Sequence, residues 1–231
     1  MKKELFVWVN CLIDTAEGLP IQDFEIFPNH NTLTFISDAA GASKSKVNSL
    51  KNDGRGAASL GYNQNIYFFF SSLEWPPAFL EKHPSDSMLF ETVGLLIPFV
   101  CVPEHLCNRK IVLQLDNIAV LHAWKRKYAK NDEFTSILLQ CLHLIECMLP
   151  CKIFIEHIQR CTTEESKLVD NFTRFNTTSE ADLKKIDHLP KFKLKGSLLN
   201  WLKNTNPDWT FPKKFTKEIA NHMNNINQNS K

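Results

Sequence analysis

Four acidic residues occupy positions where an unpaired charge is costly: Asp38, Glu91, Asp116 and Asp170. Asp38 and Asp116 close apolar, strand-like runs, Leu33-Thr-Phe-Ile-Ser-Asp38 and Ile111-Val-Leu-Gln-Leu-Asp116. Glu91 and Asp170 fall in helix-like stretches with apolar neighbours. Burying one unpaired carboxylate costs several kcal/mol, and acids gathered in one place raise one another's pKa. Divalent cations remove both penalties. Mg²⁺ takes hard oxygen ligands and keeps some of its waters, so a few carboxylates suffice for two ions, and Mn²⁺ can substitute. Two such ions about 3.5–4 Å apart activate a water and stabilise the leaving oxygen in phosphodiester hydrolysis. Taken singly, each acid has an ordinary reading. Asp116 fits a strand-to-helix turn, Asp38 a loop entry, Glu91 an exposed helix position and Asp170 a surface charge. It is their order, spacing and element types together that favour a site.

The elements that carry these acids can be read from the pattern. Strands are expected over 31–38, 55–62 and 65–73, with Gly61 and Asn63-Gln64 supplying a turn. Ser85 or Asp86 can cap a helix to about Ile97, with Met88, Glu91, Thr92 and Leu95 on one face and Pro98 to stop or kink it. A strand at 110–116 follows, then a helix capped by Asn117 and reaching Lys127, then a helix over 132–149 ended by Pro150. Cys151–His157 reads as a strand, and Thr162-Thr-Glu-Glu165 fits a capping box opening the helix of Leu168, Val169, Asp170 and Phe172. The order β-β-β-α-β-α-α-β-α predicts an α/β fold: a mixed five-stranded sheet, three antiparallel strands then two parallel, with helices on both faces. Asp38 and Asp116 then sit on neighbouring strands, and ligands of open α/β sheets bind beyond the strands' carboxyl ends.

Residues 1–30 read as a connector with one amphipathic segment, 31–176 as the domain, and 177–231 as an extension. That extension is expected to hold a short helix near 196–203 and to be otherwise extended and partly disordered, given its Lys, Asn, Thr and Pro content. The chain of 231 residues is 43% hydrophobic and 23% charged, as in a globular, soluble protein. A net charge of +2 leaves any nucleic-acid contact to local basic patches. No run approaches the roughly 18–20 apolar residues of a membrane span, and the start lacks a secretory cleavage site. Seven cysteines among mostly apolar neighbours suit a reduced, intracellular compartment, cytoplasmic or nuclear. Cys147, Cys151 and His143 lack the paired short motifs of a zinc site.

The stretches Phe35-Ile-Ser-Asp38-Ala-Ala, Ser87-Met-Leu-Phe-Glu91-Thr-Val-Gly-Leu-Leu, Leu113-Gln-Leu-Asp116-Asn117-Ile-Ala-Val, and Glu156-His157-Ile with Lys167-Leu-Val-Asp170-Asn-Phe-Thr-Arg174 resemble the ribonuclease H domain of reverse-transcribing retroelements. The flavour is that of the DIRS-type, tyrosine-recombinase group. Lys3-Glu-Leu-Phe-Val-Trp8 resembles the segment following its polymerase. Leu189-Pro…Leu198-Leu199…Pro207-Asp208-Trp209-Thr210 resembles the segment following its ribonuclease H. The resemblance implies a two-metal hydrolase that cuts the RNA strand of an RNA–DNA hybrid, with a reverse transcriptase domain in the same polyprotein. Asp38 and Asp116 are then expected to hold both ions, Glu91 the ion nearer the leaving group, and Asp170 the ion carrying the attacking water. The chain departs from the family at several points: a first loop about ten residues longer than a tight hairpin needs, Pro98 and Pro103 in the helix after Glu91, Leu115 before the Asp-Asn pair, and Val169 before Asp170. Cys161 and Thr162 stand where many relatives carry a mobile His, while His157 matches the strand-end His.

For the grip on nucleic acid, Trp124-Lys125-Arg126-Lys127-Tyr-Ala-Lys130 interleaves aromatic and basic residues at a helix end, suited to phosphates and stacked bases. The same cations also complement the helix dipole. Lys44, Lys46, Lys51 and Arg55 form a second basic group. Asn117 and the Ala39–Gly41 backbone are candidates for sensing 2′-hydroxyls. Two other functions fit the same fold: a non-catalytic connection module, and a DNA-cutting integrase or transposase. The latter group generally ends its acidic set with Glu, against Asp170 here.

Overall fold

A computed structural model describes residues 32–41, 56–64, 66–174, 178–190, 192, 194, 196–204 and 206–229, the side chains as far as 222. The expectations for residues 1–30 and for the loop bearing Lys44, Lys46, Lys51 and Arg55 lie outside these residues.

Five strands form one mixed sheet: β1 (Thr32–Ala39), β2 (Gly56–Asn63), β3 (Ile66–Glu74), β4 (Arg109–Leu115) and β5 (Cys151–His157), in spatial order β3-β2-β1-β4-β5. β1, β2 and β3 pair antiparallel, and β4 joins β1 and β5 in parallel. The sequence predicts this mixed sheet of three antiparallel strands followed by two parallel ones, with β4 beside β1. Antiparallel β1, β2 and β3 need only turns or loops between them, whereas each parallel pairing needs a helical crossover.

The helices are α1 (Pro77–Lys82), α2 (Ser87–Cys101), α3 (Ile118–Arg126), α4 (Glu133–Met148), α5 (Glu164–Thr173), α6 (Glu180–Ile186), α7 (Gly196–Lys203) and α8 (Phe211–Asn229). The main core lies on one face of the sheet. Leu33 and Phe35, Ile111 and Leu113, and Ile153 and Ile155 meet α2 and α4 there. α2 is buried continuously from Leu89 to Phe99, as expected of a helix apolar on nearly every side. On the opposite face α5 lays Leu168, Val169 and Phe172 over Ile36, Ala58 and Leu60. Cys141 and Cys151, neither in a disulfide, lie in the main core as small hydrophobes. Among the described residues no helix is long and apolar enough to cross a membrane.

Three expectations are corrected. Pro98 does not end α2, which runs on to Cys101. A proline at that position leaves the Gly94 carbonyl without its helical donor, and the Ser37 hydroxyl of β1 donates to it at 3.3 Å. The capping box is shifted by one residue. Thr162 closes a turn on the Gln159 carbonyl, and Thr163 exchanges cap hydrogen bonds with Ser166. The extension past residue 176 is not extended around a single helix, because α6, α7 and α8 all form. Composition hid the periodicity: Phe211, Phe215 and Ile219 recur every four residues, and with Leu198, Trp201 and Leu202 they are buried in the main core.

The tail is therefore part of the structural core of the domain. Phe215 is 1% exposed, so Phe215→Ala should cost about 3–5 kcal/mol in urea unfolding. A loss below about 1 kcal/mol would show that α8 adds nothing to the core.

Candidate metal centre

The parallel pairing of β1 with β4 runs from Thr32↔Lys110 to Ile36↔Gln114. It brings the carboxyl ends of both strands to one edge. Asp38 lies one residue before the end of β1, and Asp116 one residue beyond β4. α2 crosses beneath the same edge. A Cβ at Gly94 would meet the Ser37 Cβ at 3.4 Å, so the helix backbone lies close to β1. One turn earlier on α2, Glu91 reaches the two aspartates. Asp38, Glu91 and Asp116 each offer a carboxylate oxygen, and the three oxygens lie within 4.8 Å of one another.

Each acid is held by neighbouring groups. The Thr173 hydroxyl at the end of α5 donates to Asp38 Oδ2 at 2.7 Å. The Ala39 amide donates to the Glu91 carboxylate. His157, at the end of β5, places Nε2 3.1 Å from the Asp116 carbonyl oxygen, where an N–H donates to it. The strand-end His thus steadies the backbone of Asp116.

The electrostatics are strained. Burial pushes the Asp38 carboxyl up to about 6; the Thr173 hydrogen bond opposes this, and Asp170 and Asp116 add to it. Burial, with Asp38 and Asp116 nearby, drives the Glu91 carboxyl well above its ordinary range. Glu91 is 4% exposed, and among the described residues its Oε2 has no hydrogen-bond partner. A buried carboxylate with an orphaned oxygen, gathered with two more carboxylates, is the environment a hard divalent cation fits. This triad is the one such group of potential metal ligands found among the described residues.

Asp170, the fourth predicted acid, lies in the same cleft but outside the triad. Arg174 Nε addresses its two oxygens at 3.2 and 3.1 Å, and Arg160 Nη2 lies 2.5 Å from Oδ1. Arg160 also places Nε 3.8 Å from Asp116 Oδ2. Burial works against its charge, but Asp170, Asp38 and Asp116 together hold its pKa above the ordinary arginine value. Arg160 went unrecognised in the sequence. Its only sign there is a lone cation in the short segment between the β5 histidine and the α5 cap.

The predicted nucleic-acid residues divide. Lys125, Arg126, Lys127 and Lys130 are exposed at and beyond the end of α3. Trp124 is half-buried and stacks on His143 with ring centroids 3.9 Å apart and planes 5° from parallel. Burial lowers the His143 pKa to about 3, so the partner is a neutral ring. The exposed aromatic here is instead Tyr128, 42% exposed and 5.9 Å from the Arg126 guanidinium. Asn117 Oδ1 accepts from the Ala119 amide and caps α3. The Ala39–Gly41 backbone is partly committed: the Ala39 amide to Glu91, and the Ala40 carbonyl to Trp75 Nε1 at 2.9 Å.

No known family profile matches the chain, and no curated protein matches it. Solved structures with a similar arrangement include three ribonucleases H. RNase H1 from the halophilic archaeon Halobacterium salinarum is 12% identical with a TM-score of 0.43, covering 60% of this chain and 93% of that one. An RNase H1 isolated from compost by a metagenomic approach is 12% identical at 0.46, covering 64% and 96%. The N-terminal RNase H domain of a Mycobacterium tuberculosis protein, fused to maltose-binding protein, is 10% identical at 0.46, covering 67% and 97%.

The raised Asp38 pKa has a measurable consequence when divalent ions are absent. The folded protein holds that proton to about pH 6, whereas the ordinary carboxyl releases it near 3.8. Between those values the native state binds more protons than the unfolded chain, so this group's contribution falls as pH rises. In chelator, Asp38→Asn should be more stable than wild type by an amount that grows across this window, on the order of 3 kcal/mol at pH 7. A stability difference independent of pH would contradict the assignment.

Proposed function

We propose that the protein is a divalent-metal-dependent nuclease that hydrolyses the RNA strand of RNA–DNA hybrids during reverse transcription. The observation that carries this reading is the meeting of Asp38, Glu91 and Asp116 at one sheet edge, with Glu91 Oε2 buried and unpartnered among the described residues. These three acids, joined by Asp170 from α5, are the residues that would hold Mg²⁺, or Mn²⁺ in its place. When bound, such ions supply the charge that activates a water and stabilises the leaving 3′ oxygen.

The chain's own part is to hold these ligands in place beforehand. Thr173 fixes one oxygen of Asp38, the Ala39 amide orients Glu91, and His157 holds the backbone of Asp116. Lys125, Arg126, Lys127 and Lys130 suit contact with a phosphate backbone, which positions a duplex without reading its sequence. Tyr128 takes the stacking part first assigned to Trp124. The choice of hybrid over duplex DNA, the retroelement setting and the reverse transcriptase domain in the same polyprotein are supported by the sequence resemblance. The flanking stretches Lys3–Trp8 and Leu189–Thr210 carry that setting.

One observation favours a non-catalytic module of the same fold: both oxygens of Asp170 are engaged by arginines. Incubation of the purified protein with Mg²⁺ and labelled hybrid, RNA duplex or DNA duplex separates the readings. The hybrid's RNA strand should be cut and DNA duplex left intact. Asp116→Asn should lower the rate at least about a hundredfold, as expected for losing several kcal/mol of transition-state stabilisation. Equal cleavage by the Asn variant would sink the site assignment. Absence of cleavage with retained Mn²⁺ binding would favour the module.

A further inference from the structure

Arg160 sits where the acidic cleft has charge to spare. It lies between β5 and α5, and its guanidinium reaches two carboxylates on different elements: Asp170 Oδ1 at 2.5 Å and Asp116 Oδ2 at 3.8 Å. The Asp170 side chain is 14% exposed, whereas that of Arg160 is 53% exposed. Asp170 is also held by Arg174, four residues along in sequence. Among the described residues, the triad of Asp38, Glu91 and Asp116 makes no such contact except the long one from Arg160 to Asp116. The cleft therefore has two unlike halves. One is a buried triad with an unpartnered oxygen, and the other is an acidic pair already bridged by a guanidinium.

We propose that Arg160 is a built-in competitor for a second divalent cation, filling the space between Asp116 and Asp170 until that ion displaces it. This rests on the metal-dependent reading above. A guanidinium donates hydrogen bonds but accepts none, so it neutralises carboxylates without holding a water for attack. It carries one charge against the ion's two, so a divalent ion wins once concentrated enough. The exposed half of the Arg160 side chain gives it room to swing out, since ion pairs open to water are weakly held. Asp170 stays on α5, still paired with Arg174. Arg160 is thus a positioning residue that orders the filling of the site: the triad first, the Asp116–Asp170 position second.

Isothermal calorimetry with Mn²⁺ alone, on the wild-type chain, Arg160→Ala and Arg160→Lys, tests this without any turnover. Wild type should show a tighter event and a weaker one, or the tighter one only. Arg160→Ala should strengthen or reveal the weaker event by at least about fivefold, the least expected for removing a unit charge about 4 Å away in a water-like dielectric. The tighter event should strengthen less than the weaker one, because Arg160 reaches the triad only through Asp116, at 3.8 Å. Arg160→Lys keeps the charge and should resemble wild type. An unchanged weaker event in Arg160→Ala, or equal strengthening in Arg160→Lys, overturns the proposal while leaving the metal-dependent reading standing. No Mn²⁺ binding by any of the three proteins overturns both.

Discussion

Thr32–Ile36 of β1 pair in parallel with Lys110–Gln114 of β4, and that pairing governs the rest of the molecule. Parallel neighbours finish at the same sheet edge, so Asp38 and Asp116 must meet although 78 residues separate them, 116 minus 38. The same pairing obliges the chain to cross over between the strands, and α2 is the main element of that crossover. α2 lies against β1 closely enough for Ser37 to donate to the Gly94 carbonyl. That contact sets the depth of Glu91. Pro98 and Ser37 act together here, because the proline frees the acceptor that the serine uses.

The site then carries a stress that the fold alone does not relieve. Two carboxyls are pushed upward by burial, and one oxygen of Glu91 has no partner among the described residues. A group left in that condition costs free energy in any folded protein, and such groups are kept where they serve binding or catalysis. The cleft answers the stress unevenly. Arg160 and Arg174 compensate Asp170, whereas the triad has a hydroxyl, an amide and a distant guanidinium. The core behind it is continuous, with α2 packed against the sheet and α4, and α8 packed against α4 in turn, so the acids sit on a packed support.

The sheet, and the elements that bring Asp38, Glu91 and Asp116 to one edge of it, were legible in the sequence because their signals are local. Strand alternation, the Asp86 and Asn117 caps and the α2 stripe each fall within a few residues. What escaped depends on distant partners. Pro98 looked like a helix stop because the serine that tolerates it lies on β1. Trp124 looked free to stack on bases because His143, which covers it, lies on α4. The final helices were masked by Lys and Asn on their exposed faces, although Phe211, Phe215 and Ile219 kept helical spacing. Arg160 had no signature, since its meaning comes only from the two carboxylates it reaches.

The central claim is that the buried triad is a cation site. A crystal of the wild-type protein grown with Mn²⁺ and measured for anomalous scattering tests it most directly. The account predicts a strong peak within coordination distance of Asp38, Glu91 and Asp116, which is about 2.0–2.2 Å for ions of this kind. Density free of any anomalous peak among those three carboxylates, with Glu91 still buried and unpartnered, would contradict it.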